Sequence, residues 1–216
     1  MLIRHIGHAE FLLETESGVR IVTDPYDESC GYPMHEITAD VALVSHHHHD
    51  HDAVGCLKGS PRIIDSAGEY TPEQGIRVTA IRGFHDEKKG ALRGETLLFL
   101  VETEGLRAVH LGDLGDDLDE KQLELLRKPD ILMIPVGGFF TIDGKKAAET
   151  AKKLEAGMIL PMHYKTEYNE DWPISGPEPF LEEFGEKEFC RGAEALRVTK
   201  QDLECQPRVV LFTETK

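Results

Sequence analysis

The chain is short of positive charge, of paired cysteines and of long apolar runs. Its 24 Lys and Arg stand against 40 Asp and Glu, a formal charge of −16. Nucleic acid is held mainly by Lys and Arg neutralising phosphates, and no basic stripe is present, so a DNA or RNA partner is not expected. No run approaches the roughly 20 apolar residues needed to cross a bilayer, and the opening Met1-Leu-Ile-Arg-His lacks the apolar stretch of a secretory signal. A cytoplasmic chain with no membrane partner is expected. Four cysteines, Cys30, Cys56, Cys190 and Cys205, are scattered without a CxxC pair, which argues against a zinc knuckle or a disulfide framework and leaves free thiols. What remains is 216 residues, 40% of them hydrophobic. That composition fits one globular domain over 1–216, with any substrate site built from loops on a single scaffold.

The first half reads as short strands separated by turn signals: Ile3–Ile6, Glu10–Glu14, Arg20–Thr23, Val41–Val44, Arg62–Ile64, Arg77–Ile81, Thr96–Glu102 and Arg107–His110. Turns at Glu16-Ser-Gly18, Asp24-Pro25 and Glu104-Gly105 argue for antiparallel pairing. From Leu118 the period becomes helical until Pro129 stops it. Ile131–Val136, Lys145–Ala156 and Met158–Met162 then form a β-α-β unit, with Ala147, Ala148, Ala151 and Leu154 on one helix face. A helix near Pro179–Phe184 and a strand at Arg208–Phe212 close the chain. Hairpins followed by β-α-β pieces predict an α/β layered sandwich with helices outside.

The strongest chemical signal is Ser45-His-His-His-His-Asp-His51, directly behind the apolar strand Asp40–Val44. A purification tag sits at a terminus and does not continue as Asp-His behind a buried strand. Neutral imidazoles and a carboxylate suit borderline divalent ions, and alternate residues of an extended loop point the same way. His46, His48, Asp50 and His51 are four ligands in six residues, more than one catalytic ion uses, so two ions are expected.

The pattern His46-x-His48-x-Asp50-His51 resembles the metal-binding motif of the metallo-β-lactamase superfamily. In that resemblance His46 and His48 serve one ion, Asp50 and His51 its neighbour, and His47 and His49 are variable. It further implies His85, in Gly-Phe-His-Asp, as the third histidine of the first ion; Asp113, in His110-Leu-Gly-Asp113, as the bridge; and His163, in Leu160-Pro-Met-His-Tyr, as the last histidine of the second. Ile6-Gly-His-Ala9, Thr23-Asp-Pro25, Pro135-Val-Gly-Gly-Phe139 with Thr141, and Pro161-Met-His-Tyr-Lys165 resemble the branch that includes ascorbate-6-phosphate lactonase and metal-dependent hydrolases of unassigned substrate. The resemblance runs from Leu2 to Lys165 and returns in the closing strand. It implies an αββα four-layer sandwich and a hydrolase that uses a metal-bound hydroxide. Zinc is the default ion, with manganese, iron and nickel left open.

Several residues carry a second reading. Asp24 is expected either to brace a metal-bound imidazole or merely to start a turn. His110 is expected to be structural. The leaving group would take its proton from Asp50, from His8 or from solvent, with Asp50, Asp113 and His8 as the catalytic set. Trp172, Phe139 and Phe140 either wall a pocket or pack in the core. Arg82, Lys88, Lys89 and Arg93 surround His85, and Lys165 lies near His163. Arg93 and Lys165 are the expected contacts for a small anionic ester, lactone or phosphodiester. A homo-oligomer is left open. Two other classes compete: a non-catalytic metal-binding or regulatory protein, and a di-metal redox enzyme, which would resemble His-x-Glu-x-Asp where this chain has His48.

Overall fold

In the computed structural model, residues 1–185, 188–201, 203 and 208–213 are described. They form two facing sheets. The first is ordered β13-β1-β2-β3-β4-β5, from β1 (Leu2–Gly7), β2 (Glu10–Glu14), β3 (Arg20–Thr23), β4 (Thr38–Leu43), β5 (Lys58–Ile64) and β13 (Leu196–Arg197). The second is ordered β12-β14-β11-β10-β9-β8-β7-β6, from β6 (Gly68–Tyr70), β7 (Arg77–Phe84), β8 (Glu95–Thr103), β9 (Leu106–His110), β10 (Ile131–Pro135), β11 (Met158–Met162), β12 (Phe189–Ala193) and β14 (Val209–Phe212).

Period-two burial explains the layers. Ile3, Phe11, Leu13, Ile21, Val41 and Leu43 face Val78, Phe99, Val101, Ala108, Met133 and Leu160, forming the core between the sheets. The alternate residues Leu98, Leu100, Val109, Leu132, Ile134 and Ile159 face outward onto the helices. There α2 (Gly144–Lys153) lays down the fully buried Ala147, Ala148 and Ala151, beside α1 (Glu120–Leu126) and α3 (Glu178–Leu181). Small alanines let α2 sit close on the sheet, and the Asp119 and Asp143 side chains cap the first turns of α1 and α2. The outer face of the first sheet is covered more thinly, by Tyr26, Cys30, Tyr32 and Ile37 from the segment between β3 and β4. The α/β sandwich expected from the sequence is present.

One expectation is corrected. The turn at Asp24-Pro25 does not close a hairpin: β3 and β4 pair in parallel, and the intervening segment crosses over. The edge strands β6, β12 and β13 are absent from the sequence reading because two to five mostly exposed residues leave no alternation to detect. Cys30, Cys56 and Cys190 are free thiols, as expected, and Cys205 lies outside the described residues. No helix among the described residues is long and apolar enough to cross a membrane.

Strand direction places the site. β1 and β3 are both antiparallel to β2, and β4 is parallel to β3. β7 and β9 are both antiparallel to β8, and β10 and β11 continue parallel to β9. The strands that precede His8, Asp24, His46, His85, Asp113 and His163 therefore run the same way within each sheet and end at the same edge. Hydrogen bonds sew the two edges together there: His163 N to His8 O at 2.9 Å, Leu97 N to Ser45 O at 2.8 Å, and His110 Nε2 to Ala9 O at 3.0 Å.

Candidate metal centre

Each functional side chain leaves its strand through a bend that the local backbone enforces. His8, Asp24 and His163 stand one residue past β1, β3 and β11 in left-handed conformation, φ 52°, 39° and 51°. Such backbone is costly for a side chain that carries Cβ and persists only where the surroundings hold it. Asp113 is held between two glycines. A Cβ on Gly112, φ 47°, would meet Thr96 Oγ1 at 2.5 Å and Leu97 O at 2.7 Å, and one on Gly115 would meet the His85 and Asp86 backbone at 2.5 to 2.6 Å. That close approach brings the β9 loop against the β7 loop, so that Asp113 and His85 face one another.

The convergence is tight. Asp113 Oδ2 lies 3.2 Å from His163 Nε2, 3.3 Å from His85 Nε2 and 3.9 Å from His46 Nε2, and its Oδ1 lies 3.4 Å from His51 Nε2. His46, His48 and His85 form one group whose ligand atoms lie within 4.8 Å of one another; His8, Asp50, His51 and His163 form another. His47 and His49, in the alternate positions, are two-thirds exposed and belong to neither group.

Hydrogen bonds on the far side of three rings set which nitrogen carries the proton. Asp24 is fully buried and accepts from Ser45 N at 2.7 Å, from the Ser45 hydroxyl at 2.8 Å and from His51 Nδ1 at 3.0 Å. With its proton on Asp24, the Ser45 hydroxyl accepts from His46 Nδ1 at 2.9 Å. His85 Nδ1 donates to the carbonyl of Phe140 at 3.1 Å. In their neutral forms His46, His51 and His85 therefore present bare Nε2 lone pairs to Asp113. Four imidazoles aimed at one carboxylate, with the buried His46 Nε2 lacking any hydrogen-bond partner, are a donor set that fits a divalent cation. Asp24 is thus the brace anticipated in the sequence, and His110, whose Nε2 donates to Ala9 O, is structural.

The electrostatics agree. Burial lowers His46 to about 3 and His8 to about 4, so both are neutral imidazoles at physiological pH. Burial works against charge on Asp113 as well, but His163 and His51 outweigh it and hold the carboxyl well below its usual range. Burial likewise opposes ionisation of Asp50, and His8 and His51 overcome it. His51 is the exception among the histidines: fully buried, it is nonetheless pushed up by Asp113 and Asp24. Three buried carboxylates draw positive charge to this point.

A cavity of about 500 Å³ opens over the cluster, floored by His48, Asp50, His85, Asp113 and His163 and walled by Phe140, Trp172, Pro173 and Asp171. Phe140 and Trp172 are pocket walls, whereas Phe139 is largely exposed beside them. Of the expected cations, only Arg93 lines the cavity, its guanidinium 5.5 Å from the Phe140 ring. Arg82 is paired with Glu95 at 2.7 Å and Lys89 with Asp116 at 2.9 Å, while Lys165 is half-buried beyond the lining residues. His8 joins the ligand cluster but does not reach the cavity wall.

Some participants were not foreseen. The Asp86 carboxylate accepts from the backbone N–H groups of Lys88, Gly90, Leu92 and Arg93 at 2.8 to 3.2 Å, which shapes the loop that delivers Arg93. An Asp followed by Glu-Lys-Lys-Gly is an Asx-turn signal that could have revealed it. Glu10 is buried beside Asp24 and accepts from Tyr26 N at 3.3 Å; burial raises its carboxyl to about 8, and no sequence pattern marks it. Ser45, Ser29 and Asp171 were missed because a lone polar residue in a loop has no distinguishing periodicity.

Two facing mixed sheets with a histidine and aspartate cluster at one edge define a metallo-β-lactamase-type protein. The model of the beta-lactamase superfamily domain matches residues 2–163. A solved Thermotoga maritima structure, assigned to Zn-dependent hydrolases of the metallo-beta-lactamase superfamily, is 37% identical, with 98% of this chain and 97% of that one covered at a TM-score of 0.80. A UPF0173 metal-dependent hydrolase from Carboxydothermus hydrogenoformans is 31% identical over 81% of this chain and 87% of its own length. Another, from Thermococcus onnurineus, is 28% identical over 86% and 92%. The chain belongs to the metallo-β-lactamase superfamily and, within it, to the UPF0173 group of metal-dependent hydrolases.

Proposed function

We propose that this protein is a hydrolase dependent on two divalent ions, zinc first among them, acting on a small anionic ester, lactone or phosphodiester. The observation that carries the reading is the convergence of the Nε2 atoms of His46, His51, His85 and His163 on the single carboxylate of Asp113. His46, His48 and His85 would hold one ion and Asp50, His51 and His163 the other, with Asp113 shared. Two divalent ions bound there would supply hydroxide at neutral pH and polarise the electrophilic oxygen.

The chain's own groups do the rest. Asp24 and Ser45 keep the imidazoles oriented, and Phe140 and Trp172 exclude water from one side of the cavity. Asp50 lines the cavity as an ionised carboxylate, placed to take the proton of an attacking water and pass it to the leaving group. Arg93 is the one Lys or Arg among the described lining residues and would receive the anionic group of the substrate. The cavity volume and the net negative charge favour a small molecule over nucleic acid or a membrane surface.

The test is elemental analysis of the purified protein coupled to turnover of a phosphodiester panel and a lactone panel. Two ions per chain with one active panel is the expected result. Silence across both panels would leave a metal-binding protein without hydrolase activity. Arg93→Ala should raise KM for an anionic substrate about 10-fold, the scale of one charge-assisted hydrogen bond, and leave a neutral analogue nearly unchanged. Equal effects on both would remove Arg93 from substrate recognition.

A further inference from the structure

We propose that His8 is a fourth protein ligand of the second ion, completing the set of Asp50, His51 and His163 from the inner side of the site. The inference rests on the two-ion reading above and goes beyond the ligands that the motif supplies. His8 Nε2 lies 3.2 Å from His51 Nε2 and 3.3 Å from Asp50 Oδ2, and the four ligand atoms of the group all lie within 4.8 Å of one another. Nitrogens bound to one ion at about 2.0 Å with tetrahedral angles are about 3.3 Å apart, so the His8 and His51 rings already hold a ligand-to-ligand spacing.

The orientation is built in. The His8 carbonyl accepts from His163 N at 2.9 Å and from His5 Nε2 at 3.1 Å, which fastens the left-handed backbone between β1 and β2. The His8 ring lies 4.3 Å from that of His163 and edge-on to Trp172 at 5.2 Å, and the residue is 1% exposed. A group so enclosed does not reach a substrate in the cavity, but it does face the atoms that would surround the ion. The first group of ligands ends instead at the exposed His48. The second ion should therefore be the tighter of the two.

The probe is Zn2+ or Co2+ added to chelator-stripped protein, wild type and His8→Asn. Asparagine tolerates left-handed backbone, so the substitution removes the ligand without adding strain. Two ions are expected to bind wild type, one more tightly, and the tighter site in the variant should weaken at least about 10-fold in a chelator competition. Equal affinities in variant and wild type would overturn the proposal. If wild type itself binds fewer than two ions, the two-ion reading fails instead. A second measurement needs no variant: in histidine-labelled wild type loaded with 113Cd, His8 Nε2 should show one-bond coupling to the metal. A coupling at His163 and His51 with none at His8 would exclude His8 as a ligand.

Discussion

Replacing Asp113 by Ala or Asn is expected to lower hydrolytic turnover by at least about 100-fold, since even partners one step removed from a metal typically cost 10- to 100-fold. No other described carboxylate lies within 4 Å of His46, His51, His85 and His163 together. Asn keeps the shape of the side chain and removes the charge, so equal losses in both variants would assign the effect to charge. The fold should survive. The strands beneath Asp113 are held by the core between the sheets and by the layer under α2, neither of which includes its side chain. Circular dichroism of the stripped variants should therefore match that of stripped wild type. Loss of the far-ultraviolet signal would mark Asp113 as a structural residue instead.

Stripping the metal from wild type should lower the melting temperature on the order of 10 °C. A ligand at 1,000 times its dissociation constant stabilises by about 4 kcal/mol, and a chain of this length shifts by roughly 2–4 °C per kcal/mol. The stripped protein should also become acid-sensitive. His5, His8 and His46 are lowered to about 4, 4 and 3 by burial, below the 6.5 of an unfolded histidine. Between those values the unfolded chain binds more protons than the folded one. The contribution of these three histidines is therefore full above pH 6.5 and is lost as pH drops from 6.5 to about 4. Thermal melts from pH 8 to pH 4, with and without added zinc, measure both effects. A stripped protein with the wild-type melting temperature across that range would show that the cluster contributes nothing through metal binding and that its histidines are not held neutral.

Much of this protein could be read from its residue order because the relevant physics is local. Short apolar segments between turn signals marked β2, β3 and β11 with their observed bounds, and the alanine stripe marked the buried face of α2. The histidine loop announced its chemistry because imidazole and carboxylate at alternate positions have few other uses, and His85, Asp113 and His163, after β7, β9 and β11, stand in the cluster where the resemblance placed them. Bounds were less legible at edges. β5 begins at Lys58, four residues before the sequence reading, because an edge strand tolerates Pro61 and exposed residues that hide its period.

Tertiary structure alone decided which charges meet. Arg82, Lys88, Lys89 and Arg93 are neighbours in sequence, yet the Asp86 clamp turns Arg93 to the cavity while Glu95 and Asp116 engage Arg82 and Lys89. His8 and Glu10 sit two residues apart on one hairpin, and the bend at His8 sends its imidazole into the histidine and aspartate cluster while Glu10 is buried against Tyr26. The reason lies in the range of the forces. Periodicity and turn chemistry act over a few residues, whereas a histidine and aspartate cluster spread from His8 to His163 exists only once the strands that carry it run in a common direction and two sheets press their edges together.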